Sequence, residues 1–156
     1  MIKAVAVLAI ALAAQEQAPT PIRWSAQPRA KDVVAGGAIM VQATAEIDEG
    51  WHLYALDSVE AGPIPTQFSA GPADAFTLEK HDIEKEEPKR ALDPNFSVET
   101  GYYEGSATFG LPIAVAGELK GGERRLEVTV RFQACTTRIC LRPQTATMKL
   151  NVKILD

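Results

Sequence analysis

The sequence predicts an all-β protein built from antiparallel strands. Three observations carry this. Apolar and polar residues alternate with a step of two, most cleanly in Leu126 to Gln133 and in Ala146 to Ile154. Glycine, proline and aspartate punctuate the remaining apolar segments into short runs. No stretch after Ala14 sustains a helical period. About seven to nine short strands in roughly 140 residues make an immunoglobulin-like antiparallel β-sandwich the expected architecture.

Met1-Ile2-Lys3 supplies one positive charge ahead of the apolar run Ala4 to Ala14. A run of roughly eleven residues is too short to cross a hydrocarbon core of about 30 Å. It ends in small residues, with Ala11-Leu12-Ala13 suited to cleavage, and a polar segment, Gln15 to Pro19, follows. Residues 1–14 therefore read as a secretory signal peptide rather than a buried helix. The first strand expected is Ile22 to Ser25, followed by Ala38 to Ile47, Trp51 to Leu56, Thr66 to Ser69, Ala75 to Ile83 and Ser106 to Val115. Glu84 to Phe96 interrupts them: it is charged and holds two prolines, so it reads as an irregular loop, either functional or merely solvated. Gly117 to Gly122 reads as a hairpin turn before the strand beginning near Leu126. The last two strands are the strongly alternating pair.

One domain over residues 22–156 is long enough to bury a core without help from disulfides. The net charge of -4, with both signs interspersed, gives no reason to expect nucleic acid or an anionic membrane as partner. No second apolar stretch approaches eighteen residues, so no membrane insertion is expected after processing, and the expected location is the periplasm or another exported compartment.

The chemistry concentrates on the only two cysteines, Cys135 and Cys140. The strand alternation places them at facing ends of adjacent strands with Thr136 to Ile139 as the tip, where Cα atoms about 4.5 to 5.5 Å apart suit a disulfide. So small a ring constrains the unfolded chain by only about 2 kcal/mol. The pair is then either a modest hairpin staple or an exchange-active disulfide, since exposed or strained disulfides are the labile ones. His52 and Tyr54, two apart in a strand, project to one face. They set an imidazole and a phenol beside the sulfur, favouring thiolate, or form an outward polar face with Trp51 and Leu53 in the core, and the two readings are compatible. His81 lies in a polar stretch and reads as a surface residue. The Cys and His spacing matches no zinc pattern, and no nucleotide or phosphate fingerprint is present, so neither metal nor cofactor is expected.

Five motifs in order, Gly50-Trp51-His52-Leu53-Tyr54, Gly62-Pro63-Ile64-Pro65-Thr66, Asp93-Pro94-Asn95-Phe96, Tyr103-Glu104-Gly105 and Phe132-Gln133-Ala134-Cys135 through Cys140-Leu141-Arg142-Pro143, together resemble the DsbD N-terminal domain family. The resemblance spans nearly all of the mature chain. It implies an immunoglobulin-like periplasmic domain that relays electrons between a membrane or thioredoxin-like donor and periplasmic thioredoxin-fold proteins, by thiol:disulfide oxidoreductase exchange. It implies Cys135 and Cys140 as the redox pair, with Cys140 forming mixed disulfides. Phe96 matches the tip of a cap loop over the disulfide, and His52 and Tyr54 match residues lining the site. Family members often carry two prolines and a bulky residue after the second cysteine; here Leu141-Arg142-Pro143 stands instead, and a cation there would lower a nearby thiol pKa or alter partner choice. The chain ends at Asp156, so the donor is expected in trans. The competing expectations are an immunoglobulin-like binding or assembly module with an inert disulfide, and capture of a soft metal by the thiols with His52.

Overall fold

The structure, a computed structural model, describes residues 20–156. The expected signal peptide over residues 1–14 lies outside the described residues. Among the described residues thirteen strands form, seven of them five residues or longer. They are β1 Ile22–Pro28, β2 Asp32–Val34, β3 Ala38–Ile47, β4 His52–Tyr54, β5 Gln67–Gly71, β6 Phe76–Leu78, β7 Glu84–Lys85, β8 Lys89–Leu92, β9 Glu99–Tyr103, β10 Ser106–Val115, β11 Gly122–Phe132, β12 Ala134–Cys135 and β13 Gln144–Leu155.

They divide into three sheets: β1-β3-β10-β6 with β7 also on β10, β2-β13-β11-β5, and the smaller β12-β4-β9-β8. Pairing is antiparallel except between β2 and β13. The alternation that marks β3 and β11 in the sequence becomes alternating burial: Val41, Ala43 and Ala45 on β3 and Leu126, Val128 and Val130 on β11 are all fully buried. Two half-buried faces meeting in this way form the core of a sandwich. Trp24 of β1, partly buried, packs against this core with its ring centroid 5.6 Å from Phe68 of β5, 6.0 Å from Phe109 of β10 and 5.7 Å from Phe132 of β11. Tyr103 of β9 meets Phe109 edge-on at 5.6 Å, which attaches the small sheet to the same core.

Three local expectations change. Gly117 to Gly122 is not a hairpin turn, because β10 and β11 lie in different sheets and the segment crosses between them. Ala75 to Ile83 is a three-residue strand followed by a 3-10 turn over Lys80–Asp82. Glu84 to Phe96 holds β7 and β8, whose residues are all exposed, so neither carried an apolar pattern to read.

Candidate active site around the cysteine pair

The ladder between β11 and β13 ends at the pair Phe132 and Gln144. Pro143, next along, has no N–H to extend it. The chain leaves that sheet at Gln133 and resumes pairing as β12, so that Cys135 lies on the small sheet rather than on a continuation of β11. The Gln133 side chain holds the transition in place: its Oε1 accepts from the Ile64 N–H at 3.0 Å and its Nε2 donates to the Leu141 carbonyl at 3.2 Å.

Cys135 and Cys140 are disulfide-bonded and close an isolated antiparallel bridge with a Cα separation of 4.1 Å. The ring is internally ordered. The Thr136 N–H donates to the Ile139 carbonyl at 2.8 Å, Leu141 N–H to the Ala134 carbonyl at 2.9 Å, and the Thr136 hydroxyl accepts from the N–H groups of Arg138 and Ile139. The two residues are unequally buried: Cys135 is fully buried, whereas Cys140 is half-buried.

Directly opposite Cys135 across the ladder is His52, and opposite Ala134 is Leu53. Directly paired residues share a face of the sheet, so the imidazole and the Cys135 side chain lie on the same side. His52 and Tyr54 are both buried, so the outward polar face is excluded; Leu53 does enter the core. Burial of a phenol and an imidazole demands partners, and both find them. Tyr54 Oη donates to Asp93 Oδ2 at 2.6 Å, and His52 Nε2 lies 3.1 Å from Tyr54 Oη. The single phenolic proton is committed to Asp93, so the His52–Tyr54 bond requires the proton on His52 Nε2. Burial lowers the His52 pKa against the opposing attraction of Asp93 and holds the ring neutral, while burial and the bond to Asp93 raise that of Tyr54.

A histidine held neutral by the fold contributes stability that is complete above its unfolded value of 6.5 and is lost as pH falls below it toward the folded value. His52→Gln should therefore flatten the acid side of the stability profile. Denaturant midpoints between about pH 7.5 and 5 check this, and parallel wild-type and variant curves would contradict it.

Asp93 also organises the loop that follows β8. Its Oδ1 accepts from the N–H groups of Asn95 at 2.7 Å and Phe96 at 3.3 Å, and its backbone closes the loop through Ser97 N–H to the Asp93 carbonyl and Asp93 N–H to the Val98 carbonyl. Ser97 turns the chain with φ 59°. Asn95 Nδ2 donates to the Thr136 carbonyl at 2.8 Å, tying this loop to the cysteine ring. The Phe96 ring meets Tyr54 edge-on at 6.1 Å. A cleft of about 230 Å³ runs between the two loops, with His52, Asp93, Tyr102 and Thr137 in its walls. Neither this cleft nor a larger one of about 400 Å³ beside Phe68 and Arg131 is lined by a cysteine.

The family described as "Thiol:disulfide interchange protein DsbD, N-terminal" matches residues 18–152, nearly the whole chain. The chain belongs to the DsbD N-terminal family. No curated protein sequence matches it. Among solved structures, the DsbD N-terminal domain of Neisseria meningitidis in the reduced form superposes with a TM-score of 0.52 at 16% identity, covering 77% of this chain and 81% of that one. The N-terminal periplasmic domain of ScsB from Proteus mirabilis gives a TM-score of 0.59 at 13% identity, covering 85% of this chain but only 47% of that one. At these identities the likeness is one of fold, and it bears out the immunoglobulin-like sandwich.

The fold thus brings Cys135, Cys140, His52, Tyr54 and Phe96 into one neighbourhood, and leaves His81 exposed elsewhere. Three residues of that neighbourhood, Asp93, Asn95 and Gln133, were not singled out from the sequence as site residues. A buried phenol needs an acceptor, which is the signal that points to an acid near Tyr54. Asn95 and Gln133 act through backbone groups and leave no such trace.

Proposed function

We propose that this protein exchanges disulfides with thioredoxin-fold proteins through Cys135 and Cys140. In the reduced state the Cys140 thiolate attacks a partner's disulfide, forming a mixed disulfide and releasing the partner's other sulfur as thiolate. Cys135 then attacks the Cys140 sulfur, restoring the intramolecular disulfide and releasing the partner's second thiolate. Two electrons pass to the partner. A membrane or thioredoxin-like donor refills the pair by the reverse sequence. The observation that carries the reading is the unequal burial of the two residues, Cys135 fully enclosed and Cys140 only partly so, which favours Cys140 as the one a partner reaches. Membership of the DsbD N-terminal family supports it. His52 and Tyr54 line the site and hold Asp93; Phe96, on the Asp93 loop, acts as a cap that a docking partner displaces. We place the protein in the periplasm, in keeping with its family and with the leader-like N-terminus. Among the described residues no helix is long and apolar enough to cross a membrane.

The reduction potential of the pair tests the proposal. A shuttling disulfide should equilibrate with thioredoxin-fold couples at a potential above about -300 mV, whereas a structural staple lies below that. A value below it would favour the inert module.

A further inference from the structure

We infer that the cysteine loop is a docking surface with a cationic rim, fitted to a redox protein whose reactive face carries carboxylates. The inference rests on the exchange reading above and adds what kind of partner the loop selects. Between Glu127 and Asp156 the sequence contains no acidic residue but five cations, Arg131, Arg138, Arg142, Lys149 and Lys153, in a chain whose net charge is -4. Two of them, Arg138 and Arg142, flank Cys140 at two residues on either side, and both are exposed. Neither guanidinium enters an ion pair among the described residues, although Arg23, Arg29, Lys89, Arg90 and Lys149 all do.

Nearby acids do not neutralise this rim. Asp93 is buried, with both oxygens occupied by Tyr54 and the loop N–H groups. Glu104, in the wall of the adjoining cleft, is held by Lys89 at 2.7 Å. Between the two arginines Ile139 is 55% exposed, and Leu92 is 71% exposed on the loop bank facing Thr137; these are two of the four large apolar side chains left exposed among the described residues. An apolar centre with a charged rim is the anatomy of a transient protein interface. Exposed charges of this kind govern encounter rate and partner choice more than affinity, and salt screens them. An anionic membrane is the less apt occupant, because the molecule as a whole is acidic.

The test follows reduction of the oxidised full-length protein by three small thiols: anionic 2-sulfanylethanesulfonate, neutral 2-mercaptoethanol and cationic cysteamine. Each rate is normalised to that thiol's reaction with a neutral small disulfide. Wild type should favour the anionic over the cationic thiol by about three- to tenfold at low salt, and about 0.5 M salt should largely remove the preference. Arg138→Glu with Arg142→Glu should invert it while changing the neutral-thiol rate less than about twofold. Charge-independent rates in wild type would overturn the rim alone. In a parallel arm, a thioredoxin-fold reductant should slow on the double variant and recover when its own rim carboxylates are changed to amides. If the neutral thiol reduces the pair but thioredoxin-fold reductants do not, the exchange reading falls and the partner inference with it. Arginine-dependent sedimentation with phosphatidylglycerol vesicles, without charge-dependent exchange, would overturn it in favour of a membrane.

Discussion

Cys140→Ala should abolish exchange with a thioredoxin-fold partner, and Cys135→Ala should trap a covalent complex with it. The two outcomes differ because the two residues do: Cys140 is partly exposed, whereas Cys135 is enclosed opposite His52. Without Cys140 no partly exposed cysteine is left to attack. Without Cys135 the mixed disulfide forms at Cys140 and lacks the neighbour that resolves it. Both variants should still fold, since either loses only the small ring, at about 2 kcal/mol, from a domain with an extensive core. Intact mass under non-reducing conditions would show the adduct for Cys135→Ala alone. Adducts of equal yield in both variants, or wild-type exchange rates in both, would remove the assigned asymmetry.

Asp93→Ala should cost about 2–4 kcal/mol, the largest loss expected from any side chain at the site's edge. One carboxylate satisfies three donors: the buried Tyr54 hydroxyl and the N–H groups of Asn95 and Phe96. Its removal strands the first inside the protein and frees the loop that the other two shape. Small-thiol reduction of the disulfide should accelerate along with the stability loss, because Asn95 would no longer be positioned to bond Thr136. Phe96→Ala separates the two effects. Its half-buried ring touches Tyr54 at the loop tip, so its loss should expose the disulfide to small reductants at a stability cost of roughly 1 kcal/mol or less. Urea midpoints of the oxidised forms together with reduction rates measure both. Unchanged rates in Phe96→Ala would exclude it as a cap, and an unchanged midpoint in Asp93→Ala would exclude the carboxylate as the loop's anchor.

The sandwich was legible wherever one face of a strand is dry and the other wet. β3, β10, β11 and β13 alternate for that reason; β3 and β10 have their expected ranges, whereas β11 already begins at Gly122 and β13 at Gln144. Of the small sheet only β4 was legible, as part of the strand expected over Trp51 to Leu56, although all three of its residues are buried and nothing alternates. The other strands obey other constraints. In β9 the buried positions include Thr100 and Gly101, and a Cβ at Gly101 would lie 3.1 Å from the Ala55 side chain and 3.2 Å from Pro88, which explains a glycine inside a strand. β8 is exposed throughout and is held by backbone pairing to β9. The site follows the same division. Cysteines stand out by rarity and spacing, and an aromatic at a loop tip stands out by its polar company. Asp93 hides among the many charged residues of its segment, since what distinguishes it is burial, a property of the folded chain.

The cysteine ring, closed within its own β-bridge, also limits how far the rest of the protein can govern its redox set point. Coupling between two equilibria is reciprocal, so the fold can shift the balance of the disulfide only by as much as the disulfide shifts the fold. For a ring spanning a sequence separation of 5 that coupling is about 2 kcal/mol, equivalent to roughly 40 mV for a two-electron couple. Core substitutions that weaken the sandwich without disturbing this loop leave the set point almost where it was. The side chains bordering the ring, rather than global stability, are where the potential can evolve.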